Sequence, residues 1–159
     1  DVLLAESGEK QADILKLRSM LYEALRPGTV ELFDICVPRS EIAGHVQFVH
    51  ELERRYGVAL PTYGHAADGN IHTHSLRRRL QDGVIGEEIA GWQATHEKVK
   101  EDLFADAVRR GGVISGEHGI GLVKKSHLAQ TAGAANLDLM RRIKRALDPD
   151  DILNPGKVI

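Results

Sequence analysis

The sequence predicts an α+β fold: a ferredoxin-like antiparallel sheet with helices packed on one face, followed by a C-terminal helical and strap segment. Three observations lead there. Four short β-prone stretches and two long stretches of helical periodicity run in the order strand, helix, strand, strand, helix, strand. The two middle strands are separated only by the turn-forming Ala66-Ala67-Asp68-Gly69. Near the C terminus, Asp148-Pro149 and Asn154-Pro155-Gly156 cannot continue a helix, so the chain ends as an extended or turn-like strap.

Taken in order, residues 10–25 form a first helix, with Ala12, Leu15, Leu21 and Leu25 on one stripe and Pro27-Gly28 as the stop. Residues 29–38 alternate as a strand that places Phe33, Ile35 and Val37 on one face. Ser40 is positioned to N-cap a helix whose buried stripe is Ile42, Val46, Val49 and Leu52 and whose C-cap is Gly57. Residues 58–65 and 70–76 are the two strands around the turn. A second core helix is expected from about Glu87 to Arg110, ended by Gly111-Gly112. The short strand Gly112–Ser115, the glycine-rich segment 116–121 and a helix around Leu137–Leu147 complete the chain. There is no internal repeat or low-complexity linker, so residues 1–159 are read as one domain.

Composition narrows the function classes. A chain of 159 residues with 42% hydrophobic and 28% charged side chains is globular, not disordered. Its net charge of -2 gives no global attraction to nucleic acid or an anionic membrane. The basic clusters Arg77–Arg79 and Arg141–Arg145 read as solvated surface or helix faces, so no nucleic-acid partner is expected. The single cysteine, Cys36, excludes an internal disulfide and a cysteine zinc site, and reads as a small core residue. No run reaches the roughly 18 apolar residues of a membrane span, and nothing resembles a signal peptide, so the expected setting is cytoplasmic. The absence of an initiator Met suggests a piece of something longer.

The chemistry concentrates in Tyr63–His74, "YGHAADGNIHTH", which holds three of the 8 histidines. Asp68, Gly69 and Asn70 disfavour helix, so His65 and His72 flank a tight turn, and Asp68 reads as a residue that shapes that turn. His72 and His74 alternate along a strand and face one side. The second element is Ser115–Gly121, "SGEHGIG", which places Glu117 and His118 between glycines that permit close backbone approach. Two neutral imidazoles and one carboxylate suit Zn²⁺, Fe²⁺ or Mn²⁺ with positions left open. That gives His65, His72 and Glu117 as metal ligands, with His118 beside them as an acid/base group. On spacing alone, a plain histidine-rich turn weighs equally, because about 45 residues separate the two elements. His45, His50, His96 and His127 lie in helical segments and read as structural or surface groups.

Three stretches shift that balance. "GHAADGNIHTH", "GGVISGEHGIGLVKK" and "IKRALDPDDILNPGKVI" resemble the C-terminal signatures of the FAD-linked oxidases with a vanillyl-alcohol-oxidase-type fold, in the group of D-lactate dehydrogenase, glycolate oxidase and D-2-hydroxyglutarate dehydrogenase. "DICVPRSEI" resembles the strand-to-helix junction before the first of them, and the likeness runs from about Leu17 to Ile159. It implies the C-terminal part of a cap, or substrate, domain, whose FAD-binding domain precedes it as partner. In that light His65, His72 and Glu117 match metal ligands, zinc first with iron or manganese as alternatives, and His118 matches the base that removes the hydroxyl proton. Arg18 matches a contact to the substrate carboxylate, and Asn154 and Lys157 belong to a strap that packs toward the flavin. Ala67 replaces a usual glycine.

His74 stands where hydroxyglutarate-type enzymes place a substrate-binding asparagine, and Tyr22 and Leu32 stand where they place polar substrate contacts. A smaller or differently shaped 2-hydroxy acid is therefore expected, with His74 as a substrate contact or a fourth ligand. The implied reaction passes hydride from a 2-hydroxy acid to FAD and on to an unidentified electron acceptor, and a homodimer is compatible. The chain alone is expected to be inactive for want of the flavin. Two other readings are a metal-free structural cap and, least favoured, a self-contained metal hydrolase.

Overall fold

In the computed structural model, which describes residues 4–159, the ferredoxin-like expectation is met by strand order. The chain runs α1 (Gly8–Leu25), β1 (Thr29–Cys36), a 3₁₀ turn (Arg39–Glu41), α2 (Ile42–Tyr56), β2 (Thr62–His65) and β3 (Asn70–Leu76). It continues through β4 (Arg78–Gln81), β5 (Val84–Glu88), α3 (Trp92–Arg109), α4 (Lys125–Thr131) and α5 (Ala134–Leu147). β1, β3 and β2 form an antiparallel sheet in that spatial order. The expected last strand shrinks to one antiparallel bridge, Cys36 with Val113, on the free edge of β1. The glycine-rich chain then leaves the ladder, and only the Gly116 N–H returns, to the Asp34 carbonyl (3.0 Å).

Period-2 alternation gives the sheet two different faces. Phe33, Ile35 and Ile71 point toward α2 and α3 and meet Val49, Leu52, Val99, Leu103, Phe104 and Ala107, all buried. Phe33 and Phe104 pack edge to face with centroids 5.8 Å apart. Each such side chain contributes about 1.5–3 kcal/mol on burial, which fixes both helices to one face. The opposite face carries Asp34, His72 and His74.

Several expectations change. Ser40 caps nothing: it sits inside the 3₁₀ turn, and α2 starts at Ile42 without a side-chain cap. Its stripe is led by Val49 and Leu52, with Ile42 and Val46 only half-buried. α3 begins at Trp92 rather than Glu87, because residues 78–88 form a hairpin, β4–β5, turning through Asp82 (φ 49°) and Gly83 (φ 76°). α1 forms where expected, with Ser7 as N-cap, yet Ala12, Leu15 and Leu21 stay exposed and Leu25 is only half-buried, because among the described residues no second layer lies over it. Cys36 is half-buried, and its thiol donates to the Asp68 carbonyl (3.2 Å). No helix among the described residues is long and apolar enough to cross a membrane.

The helix face buries one imidazole–carboxylate pair, His45 Nδ1 to Asp106 Oδ2 (2.7 Å), with Arg109 and Arg110 also on Asp106. Burial holds His45 below the usual imidazole value, and Asp106 offsets only part of that. The unfolded chain therefore takes up this proton first, so the stability His45 contributes is present above about pH 6.5 and lost below it, at up to about 1.4 kcal/mol per pH unit. The melting temperature is expected to fall from pH 7 to pH 5, with a shallower slope in His45→Leu; equal slopes would contradict this.

Candidate metal and substrate site

The open face of the sheet assembles the site from three separate segments. His72 sits on the central strand β3, directly opposite Asp34 of β1 and Tyr63 of β2. His65 ends β2 at the turn, where Asp68 accepts from the Asn70 N–H (3.1 Å) and so shapes the bend as expected. Gly69, at φ 82°, lies so close to the Val37 carbonyl that any side chain would overlap it.

Glu117 and His118 arrive from the loop after Val113, and Asp34 holds that loop. Its Oδ2 accepts from the His118 N–H (2.7 Å) and the Glu117 N–H (2.9 Å), and the Ser115 hydroxyl, with one hydrogen, lies 3.2 Å from that oxygen and 2.9 Å from the Gly119 carbonyl. Burial opposes the charge on Asp34, but the two backbone donors outweigh it and keep the carboxyl below the usual carboxylate value. Gly116 lies against the Asn70 side chain, where an added Cβ would come within 2.8 Å of the amide nitrogen.

The result is convergence on one oxygen. Glu117 Oε1 lies 3.3 Å from His72 Nε2, 3.8 Å from His118 Nε2 and 3.9 Å from His65 Nε2. The His65 and His72 rings stand perpendicular at 5.3 Å, and His118 stacks on His72 at 5.4 Å. Ligands about 2.0–2.2 Å from one Zn²⁺ sit roughly 3–3.5 Å apart, so only small movements separate this arrangement from a coordination shell. Burial, with His118 and His65 nearby, keeps His72 below the usual imidazole value and hence neutral, the form that ligates.

A tighter grouping of Asp34, His72, Glu117 and His118 has ligand atoms within 4.8 Å of one another. Asp34 is poorly suited to the ion itself, since its Oδ2 already accepts two backbone hydrogen bonds. Its Oδ1 faces His72 Nδ1 at 3.8 Å; both atoms are buried and lack hydrogen-bond partners. That is the place of a carboxylate behind a metal-bound imidazole. Imidazole nitrogens around one carboxylate oxygen are donors of the kind that suits a divalent cation.

A cleft of about 290 Å³ opens beside this cluster, with Arg18 and Tyr22 of α1, Tyr63, His65, His72 and His118 among its walls. Arg18 Nη2 contacts His65 Nδ1 (3.3 Å), which brings the expected carboxylate-binding arginine to the site. His74 is placed otherwise than as a direct substrate contact or fourth ligand. It is fully buried behind the cleft, with Nδ1 on Thr29 Oγ1 (2.8 Å) and Nε2 on the Tyr63 hydroxyl (3.1 Å). Burial, helped by His72, pushes it down to about 4. Asn154 and Lys157 lie in the C-terminal strap, joined by a Lys157 N–H to Asn154 carbonyl bond (3.2 Å), and no hydrogen bond among the described residues links them to the cluster.

Two residues escaped the sequence reading. Asp34 was hidden in an apolar strand; its signal was a carboxylate on the opposite parity to Phe33 and Ile35. Lys124 was given no role, yet among the described residues its Nζ is buried without a hydrogen-bond partner, and burial lowers its pKa against the pull of Asp34 and Glu31.

A larger, mostly apolar cleft of about 620 Å³ lies under α5, between Ile114, Ile120, Met140 and Ile143. Among the described residues, Glu117 is the only ionisable side chain on its wall.

Residues 1–158 match the family described as FAD linked oxidases, C-terminal domain. Over all of the chain, it is 43% identical to a D-lactate dehydrogenase of Archaeoglobus fulgidus, covering 33% of that protein. It is 36% identical to the glycolate oxidase subunit GlcD of Bacillus subtilis over 84% of the chain and 27% of the relative. To a D-2-hydroxyglutarate dehydrogenase of Xanthomonas citri it is 36% identical over 99% of the chain and 33% of the relative. The chain spans about a third of the length of these curated relatives. The chain belongs to the FAD linked oxidases, as their C-terminal domain.

Proposed function

We propose that this chain is the substrate- and metal-binding domain of a flavin-dependent 2-hydroxyacid dehydrogenase of the glycolate or D-lactate type. The observation that carries the reading is the convergence of three imidazole nitrogens on Glu117 Oε1, beside a cleft that those histidines and Arg18 line. His65, His72 and Glu117 would hold the cation, with zinc first and iron or manganese as alternatives. When bound, the cation supplies Lewis acidity to the substrate's carboxylate and hydroxyl oxygens, and the flavin supplies the hydride acceptor.

The chain's own residues do the rest. Arg18 binds the carboxylate and orients the α-carbon. Ligation through His65 Nε2 requires the proton on Nδ1, and an Nδ1–H no longer accepts from Arg18, so loading the site frees the guanidinium for substrate. His118 takes the hydroxyl proton at an imidazole nitrogen as hydride leaves the α-carbon, giving a 2-oxo acid. Asp34 keeps His118 and Glu117 in place.

The partner is a flavin-binding portion of the same protein. Leu139, Met140 and Ile143 of α5, with Ile152 and Leu153 of the strap, are exposed apolar side chains suited to that contact. Asn154 and Lys157 would approach the flavin from the same strap. Without that portion the chain has no hydride acceptor and does not turn over.

Anaerobic mixing of the complete flavoprotein with lactate or glycolate tests the reading. The flavin absorbance should bleach, slow at least about tenfold after chelation, and recover on adding Zn²⁺ or Mn²⁺. Bleaching that ignores chelation would instead favour a metal-free cap that only shapes the flavin pocket.

A further inference from the structure

We propose that Tyr63 sets the substrate preference of the cleft through a hydrogen-bond chain that fixes the direction of its hydroxyl, excluding a second carboxylate. The proposal rests on the reading of the cleft as a 2-hydroxyacid site. Thr29 Oγ1 lies 2.9 Å from the Leu25 carbonyl oxygen and 2.8 Å from His74 Nδ1. A hydroxyl has one hydrogen and a carbonyl can only accept, so that hydrogen goes to Leu25. Thr29 must then accept from His74, which puts the ring proton on Nδ1. His74 is fully buried, and neither of its nitrogens contacts a carboxylate, so the ring is neutral and Nε2 is a bare acceptor. The Tyr63 hydroxyl, 3.1 Å from Nε2, donates there.

Tyr63 therefore presents only lone pairs to the cleft it lines. Its ring packs 5.6 Å from His72, next to the position where the substrate's reacting oxygens would be held, so the group attached to the α-carbon meets it. Among the described residues, Arg18 is the one permanent cation on these walls and is matched to a single carboxylate. A second carboxylate beside Tyr63 would lose water and gain no donor from the Tyr63 hydroxyl, whereas an apolar group or a neutral hydroxyl fits. The preferred class is monocarboxylic 2-hydroxy acids. Tyr63 determines specificity by contact; Thr29 and His74 act as positioning residues behind it.

Thr29→Val separates this chain from a merely structural role. Valine offers no acceptor to Nδ1–H, so the ring proton moves to Nε2, where it donates to Tyr63, and the Tyr63 hydrogen turns into the cleft. The complete flavoprotein is compared as wild type, Thr29→Val and Thr29→Ser. Flavin reduction is measured with racemic lactate and racemic malate, and the His74 tautomer is read by ¹⁵N NMR of labelled imidazoles. The expected result is Nδ1–H in the wild type and Nε2–H in Thr29→Val. The lactate-to-malate ratio of kcat/KM should fall about tenfold or more in the variant and return in Thr29→Ser. Nε2–H in the wild type, or an unmoved ratio in Thr29→Val with lactate still turned over, would overturn the proposal. A wild type reduced by neither acid nor by glycolate would instead sink the 2-hydroxyacid reading, and the specificity claim with it.

Discussion

His118→Gln is expected to lower kcat of the complete flavoprotein about 10²–10⁴-fold with little change in KM, while bound metal is retained. The imidazole is exposed at the cleft, stacked on His72, and its backbone N–H is tied to Asp34, so the ring position is set before substrate arrives. Glutamine keeps a polar side chain of similar reach but cannot take up the hydroxyl proton. His118 Nε2 also lies 3.8 Å from Glu117 Oε1, close enough to consider it a ligand. The two roles separate in one preparation, in which turnover and metal content are measured together. Loss of metal in step with activity would make His118 a ligand and leave the proton acceptor elsewhere.

Asp34→Ala is the substitution expected to damage the domain most. One fully buried carboxylate oxygen ends two backbone N–H groups, and alanine leaves both without their acceptor, while the Ser115 hydroxyl keeps the Gly119 carbonyl. Removing the acceptor of such a buried set costs about 3–5 kcal/mol. Asp34→Asn keeps one carbonyl oxygen and should cost less. Because Oδ1 also stands behind His72 Nδ1, Asp34→Asn should still weaken metal binding about 10–100-fold. Urea unfolding and metal titration of both variants check the two effects. A stable Asp34→Ala with wild-type metal affinity would mean that the Ser115–His118 loop is held by something other than this carboxylate.

The helix face of the sheet was legible because burial there obeys simple periodicity: Phe33, Ile35, Val49 and Leu52 repeat at 2 and 3.6 residues and all are buried. The histidine turn was legible for the same reason, since strand alternation alone places His72 and His74 on one side. Alternation cannot say what lies beyond each ring. One pair further along β3, Thr29 and Tyr63 enclose His74 on both nitrogens, whereas His72 meets a carboxylate from a loop 45 residues away.

The β4–β5 hairpin was missed despite its Asp82-Gly83 turn because Arg77–Arg79 and Glu87–Glu88 mask any apolar alternation. The stripe of α1 misled in the opposite sense. Leu15 and Leu21 are spaced as core residues, yet nothing among the described residues covers them, and helical periodicity does not say which surface buries it. Lys124 shows the same limit, since a lysine beside Lys125 reads as solvated until the packing places its ammonium inside.

Metal content measured by elemental analysis, on the purified protein beside its His72→Ala variant, tests the three-ligand site most directly. His72 is the most buried of the converging imidazoles and sits on the central strand, so its loss removes one ligand while His65, Glu117 and His118 remain on other segments. The expected result is near one equivalent of zinc, iron or manganese in the wild type and little in the variant. Equal metal in both, or none in the wild type after supplementation with each ion, would contradict a metal site built on His65, His72 and Glu117.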